Sequence, residues 1–192
     1  MTEILFAGLA VVGAGWLVMW GATYRRRSMA RHPAPTFVLA DLAGYTALAD
    51  QRGDEAAAAV AREFRRAMRV LSRRHGAWQV KSMGAGVMIW APDASRAMAL
   101  AVETVRQLGT RPDLLPVRVG VHTGPVVMRG CDWYGSAVNV AARLVSNAAP
   151  NEALVSAATR DAAQDADAPA VTGRRDVTLR GIALPVSTWT LA

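Results

Sequence analysis

The run Asp132-Trp-Tyr-Gly-Ser-Ala-Val-Asn-Val-Ala-Ala-Arg-Leu144 decides how this chain is read. Gly135 and Ser136 predict a turn that opens a helix, because a regular apolar pattern starts directly after them. Val138, Ala141, Ala142 and Val145 recur at helical spacing and predict its inward face. Asn139 and Arg143 are four residues apart, so they project side by side from one helix face. An amide beside a guanidinium presents several fixed donors, which suits holding a ribose oxygen and a phosphate together. An ordinary amphipathic helix with a solvated arginine satisfies the same pattern, so the discrimination must come from other stretches.

Working outward, Thr36 to Leu42 is an apolar run of strand length that ends in the turn Ala43-Gly44-Tyr45-Thr46. Asp41 closes the run, and a carboxylate in an apolar strand needs a partner. A hard divalent cation with nucleotide phosphates would supply one; capping of the following turn is the plainer alternative. Asp54 to Arg74 predicts a long helix with Val60, Phe64, Met68 and Leu71 inward and Arg62, Arg65, Arg66, Arg69 and Arg73 toward solvent. Trp78–Met83 and Val87–Trp90 predict a hairpin about Gly84-Ala85-Gly86. Ser95 to Leu108 reads as a helix capped by Ser95, with Met98, Ala101, Val102, Val105 and Leu108 inward. Val117–Val121 and Pro125–Val127 read as strands around His122-Thr123-Gly124. No second acid or base lies at motif spacing from His122, so its role reads as structural. Ala153–Ser156 is a strand, Ala157–Ala163 a helix, Gln164–Thr172 a loop and Val177–Leu191 a closing hairpin. This alternation predicts an α/β (α+β) sandwich, one mixed sheet with helices packed against it.

The N-terminal stretch Ile4 to Tyr24 is 21 residues without a charge. At about 1.5 Å per helical residue it matches a bilayer core of about 30 Å. Trp16, Trp20 and Tyr24 cluster at its far end, and Arg25, Arg26, Arg27 and Arg31 follow. The expectation is a single transmembrane helix over 4–24, a basic linker over 25–35 and a cytoplasmic domain over 36–192, placed at the cell inner membrane. The net charge of +7, from 22 basic against 15 acidic residues, is explained in good part by that cluster. The other arginines are spread along helices and not interleaved with aromatics, which argues against a nucleic-acid partner. Cys131 is the single cysteine, so no internal disulfide is expected.

The quoted motifs, His122-Thr123-Gly124 and Gly135-x-x-Val138-Asn139-x-Ala141-Ala142-Arg143, resemble the class III nucleotidyl cyclase catalytic domain of membrane-anchored bacterial type. The resemblance runs from Thr36 to Ala192, including Phe37-Val-Leu-Ala-Asp-Leu-Ala-Gly-Tyr-Thr46 and a closing Leu-x-Gly-x-x-x-Pro-Val pair. It implies a ferredoxin-like core that pairs head to tail, as a homodimer or with another cyclase-domain chain, and completes its active site between protomers. It further implies ATP as substrate, cyclic AMP and pyrophosphate as products, and Mg2+ or Mn2+ as cofactor. By the same resemblance Asp41 is a metal ligand, and Ala43, Gly44, Tyr45 and Thr46 offer backbone amides to phosphates. Lys81 and Asp132 read adenine, Asn139 orients the ribose, and Arg143 stabilises the transition state. One departure stands out: Lys81-Ser82-Met83-Gly84-Ala85 follows the family's K-x-x-G-D, with Ala85 where the second metal-holding aspartate belongs. Five of the six positions are filled. The resemblance therefore leaves open an enzyme with weakened metal binding, a half-site partner in a heterodimer, or a nucleotide-binding module without turnover.

Overall fold

In the computed structural model, residues 34–130, 132–163, 168–178 and 185–192 are described, with Asp132 described through its backbone only. The membrane helix expected over 4–24, nearly all of the basic linker, Cys131 and the Arg180-Gly181 pair lie outside these residues. Among the described residues no helix is long and apolar enough to cross a membrane.

The apolar run at Thr36 becomes β1 (Thr36–Leu42), a strand buried everywhere except at Asp41. Such an unbroken run needs cover on both faces, and the sheet supplies it. β2 (Trp78–Met83) and β3 (Gly86–Ala91) form the expected hairpin, whose two-residue turn is Gly84-Ala85. β4 (Val117–Thr123), β7 (Glu152–Ser156), β8 (Val171–Val177) and β9 (Val186–Leu191) complete a seven-stranded sheet in the order β2-β3-β1-β4-β7-β9-β8. All of its neighbours are antiparallel except the parallel pair β4–β7. β5 (Val127–Arg129) and β6 (Asp132–Tyr134) form a separate small hairpin. The sheet is mixed, as expected.

Among the described residues five helices accompany it: α1 (Tyr45–Arg52), α2 (Asp54–Arg74), α3 (Ala94–Leu108), α4 (Ser136–Asn147) and α5 (Ala157–Ala162). Phe64, Met68 and Leu71 of α2 and Met98 and Ala101 of α3 pack with Val38, Ala40 and Leu42 of β1 and with Val117, Val119 and Val121 of β4. Alternation along the strands sends Asp41, Arg118 and Gly120 to the opposite face. There α4 crosses β4 so closely that a Cβ on Gly120 would sit 2.6 Å from the Ala141 carbonyl and 2.7 Å from the Val145 amide. Only glycine lets the helix seat at that depth.

Several expectations need correction. The inward face of α4 is Ala137, Val140, Ala141, Leu144 and Val145, not Val138 and Ala142, which are half-buried. The helix thus turns its Leu144 side into the core, and alanines on both flanks hid that rotation. Asp93, not Ser95, caps α3 by accepting from the Arg96 amide. The expected turn Ala43–Thr46 shortens to Ala43-Gly44, because Tyr45 and Thr46 already begin α1, a helix with no fully buried residue and hence no apolar periodicity to read. β8 falls partly within the expected loop, because its Val-Thr-Gly-Arg-Arg-Asp-Val sequence alternates poorly and lies mostly exposed at the sheet edge. Arg65, expected in solvent, donates to the Gly84 carbonyl at 3.0 Å and ties α2 to the hairpin turn.

Candidate active site

β1 delivers Asp41 to the end of the sheet, where the chain turns at Gly44 (φ 82°) into α1. No side chain caps α1 and its first turn holds no acid, so the leading amides are open to an anion. A cleft of about 480 Å3 forms here, lined among others by Asp41, Gly44, Tyr45, Thr46, Ala85 and Arg118. The β2–β3 turn closes one side: a Cβ on Gly86 would lie 3.3 Å from that of Asp41. Ala85 therefore occupies the place from which a second carboxylate would enter the cleft, and it brings only a methyl group.

Asp41 has a partner that the sequence reading missed. Arg118, directly opposite it in the β1–β4 register, donates Nε to Oδ1 at 2.9 Å and Nη2 to Oδ2 at 2.8 Å. This fork engages both carboxylate oxygens in one plane. The available signal was an arginine interrupting Val117-Arg-Val-Gly-Val121, two residues from a glycine on the same face. Neither the capping alternative nor a free acid describes Asp41.

The other candidate residues line different surfaces. Asn139 and Arg143 are both exposed on α4, held by the buried Ala137, Val140, Ala141 and Leu144 beneath them. Lys81 is half-buried on edge strand β2, after an irregularity that places it opposite Met88. Trp133 anchors the small hairpin, packing edge-on against Phe37 with ring centroids 5.7 Å apart, and so fixes the backbone of Asp132 beside the start of α4. The chain thus brings Asp41, Gly44–Thr46 and position 85 together, whereas the Ala43 amide, expected to face a phosphate, is donated to the Pro116 carbonyl at 2.8 Å, and Lys81, Asn139 and Arg143 do not line that cleft.

His122 accounts for the His-Thr-Gly motif without chemistry. Its Nδ1 lies 2.7 Å from Ser156 Oγ, and the chain of hydroxyls continues through Thr159, Thr123 and Thr36. Burial lowers its pKa to about 4, so the ring is neutral. These bonds stitch β1, β4, β7 and α5 together below the helix that carries Asn139.

A profile of the adenylate and guanylate cyclase catalytic domain matches residues 28–192. The chain belongs to that family. It is 33% identical over 131 residues to the pH-sensitive adenylate cyclase MT1302 of Mycobacterium tuberculosis (strain CDC 1551 / Oshkosh), covering 68% of this chain and 33% of that protein. It is 35% identical over 135 residues to an adenylate cyclase of Streptomyces coelicolor, covering 68% of this chain and 35% of that one. This cyclase-family chain therefore spans about a third of the length of these two relatives. The adenylyl cyclase CyaB from P. aeruginosa shares its fold, with a TM-score of 0.70 at 20% identity over 82% of this chain and 93% of that one.

The family implies divalent cations, and the cleft can be tested for them. Two cations need several oxygen donors. This cleft offers one carboxylate, with both oxygens already engaged by Arg118, and a methyl group at position 85. Among the described residues no group of three or more acids, histidines or cysteines could hold a metal. The donor set does not fit a cation pair.

Proposed function

We propose that this cyclase domain forms cyclic AMP from ATP as one member of a dimer, contributing the half-site made of Lys81, Asp132, Asn139 and Arg143. The observation that carries the proposal is the division of the surface: Asn139 and Arg143 stand exposed and supported on α4, apart from a cleft whose acid set is incomplete. A partner cyclase domain with both carboxylates would complete the site. Val127 and Tyr134, each more than half exposed on the β5–β6 hairpin, supply apolar surface for such pairing.

In this reading Lys81 donates to, and Asp132 accepts from, the adenine edge. Asn139 holds the ribose so that its 3′ oxygen faces the α-phosphate, and the Arg143 guanidinium stabilises charge that builds there as pyrophosphate leaves. We further propose that the uncharged stretch Ile4–Tyr24 anchors the chain in the cell inner membrane with the cyclase domain cytoplasmic; the arginines that follow it support this. Extraction of membranes with carbonate and protease protection of the domain check the anchor.

The deciding experiment is cyclic AMP formation by the purified full-length chain with ATP and Mg2+ or Mn2+. The wild type alone is expected near the Asn139→Ala blank. Mixed with the Ala85→Asp, Asn139→Ala double variant, which has both acids but no ribose-orienting amide, it is expected to turn over. No cyclic AMP from that mixture, with dimers shown to form, refutes the half-site role. A second reading, a homodimer that binds ATP without turnover, is favoured by the methyl group at position 85. ATP binding by an inactive mixture identifies it.

A further inference from the structure

We propose that Arg118 is the resident counter-ion of Asp41 and keeps divalent cations off this chain's half of the cleft. The inference takes from the proposed function only that this cleft is the cyclase site, and it is independent of turnover.

The pairing is built into the sheet and does not depend on a long side chain finding its partner. Asp41 and Arg118 are opposite one another in the antiparallel β1–β4 register, the arrangement in which cross-strand charges interact best. Both side chains keep about a third or less of their surface exposed, at 30% and 27%, so the pair is only partly screened. The fork takes up one lone pair on each oxygen of Asp41 and holds a guanidinium charge against any cation that approaches the others.

Charge bookkeeping at the cleft points the same way. Among the described residues its lining holds one acid, Asp41, and one base, Arg118, and no other formally charged side chain. The two cancel, so a dication entering meets no net negative charge and an arginine already in place. An aspartate at position 85 would leave the lining with an excess negative charge, and a cation could then compete. Ala85 and Arg118 therefore act together: the first removes the attraction for a metal, and the second occupies the acid that remains. Any cations used in a dimer would be held on the partner's acids.

The test is Mn2+ titration followed by the electron paramagnetic resonance signal of free Mn2+, on the full-length chain without nucleotide. Wild type is expected to show no saturable binding up to about 1 mM Mn2+, short of the weaker range of protein cation sites. Ala85→Asp is expected to gain a site, and adding Arg118→Gln to that variant tightens it about tenfold as the competing guanidinium goes. Asp41→Asn in the same background removes the site. Saturable Mn2+ binding to wild type that Asp41→Asn abolishes overturns the proposal. So does a pair of variants, with and without Arg118→Gln, that bind equally or not at all. If Arg118→Gln unfolds by circular dichroism, Arg118→Lys replaces it; a single ammonium frees one carboxylate oxygen, and a smaller gain in the same direction is expected. A cyclase assay that fails leaves these titrations unaffected, and the converse holds.

Discussion

Gly120→Ala probes the contact that sets the height of the helix carrying Asn139 and Arg143. The added Cβ would lie 2.6 Å from the Ala141 carbonyl oxygen, 2.7 Å from the Val145 amide and 2.8 Å from Leu144 Cβ. Two of the three are backbone atoms, so no side chain can swing aside, and α4 must lift. Ordinary contact begins near 3.4 Å, which sets the lift at about 0.6–0.8 Å. Val140 and Leu144 are packed against Leu154 below the helix, and raising them opens a gap there. Overpacking of this kind costs about 2–3 kcal/mol, which for a domain of this size lowers Tm by roughly 5–10 °C. The assay is thermal unfolding of the full-length chain by circular dichroism. Gly173→Ala serves as the control: open space surrounds its Cβ, and only the left-handed φ of 58° opposes it, for about 1 kcal/mol. Where a turnover assay exists, the misplaced Asn139 and Arg143 are expected to lower it by about tenfold or more. In a strand alanine otherwise outperforms glycine. A Gly120→Ala protein that melts at or above wild type therefore refutes the seating of α4 on β4.

Three further expectations follow from the same geometry. A double-mutant cycle of Asp41→Asn and Arg118→Gln, read by chemical denaturation, should give a coupling of about 1 kcal/mol, since the fork is planar but partly exposed; a value near zero contradicts the pairing. His122 is neutral when folded, with its pKa lowered to about 4 by burial, so its unfolded form binds more protons below about pH 6.5 and stability falls as pH drops from there toward 4. Wild type should lose about 2 kcal/mol between pH 7 and pH 5 that His122→Asn does not lose, and equal losses in the two proteins remove His122 as the cause. Mn2+ should leave the wild-type Tm unchanged but raise that of Ala85→Asp, by about 2.7 kcal/mol in stability at a hundredfold excess over its dissociation constant; a shift in wild type of similar size contradicts the neutral cleft.

The parts of this fold that were legible in sequence are those whose apolar pattern is set by burial. α2 runs Asp54–Arg74 and β2 runs Trp78–Met83, each with the ends its sequence predicts. In β1 the unbroken apolar run required a central position, and the strand has one. Illegible elements share a different cause. α1 buries no residue fully and is held by its position after β1, so no periodicity marks it. β8 is an edge strand with five exposed residues out of seven, and its pairing to β9 is a tertiary fact. The rotation of α4 escaped because alanine is compatible with either side of its apolar face; Leu144 and Val140 decide it, and only the depth of Gly120 shows why.

For the candidate site the division is sharper, because motif spacing records which residues are present and not what they touch. Ala85 was visible as a departure; its consequence was not. From the sequence alone, loss of one acid leaves open a weakened metal site with Asp41 still available, a half-site partner or a binding module without turnover. Arg118 changes the first reading, and no local spacing links it to Asp41, from which it is separated by 77 positions. With position 85 acidic, the cleft would hold two carboxylates against one guanidinium, and a cation would relieve their repulsion. With alanine there, the acid and the arginine satisfy each other, and the cleft is electrically complete without a metal. On the half-site role we propose, loss of the second acid leaves the ribose-orienting and phosphate-stabilising side chains without a complete site in a homodimer. It leaves them useful to a heterodimer, in which, on the same proposal, this chain provides Asn139 and Arg143 and the partner provides the acids. An incomplete cleft beside an exposed Asn139–Arg143 face is the observation that supports this proposal of asymmetric pairing.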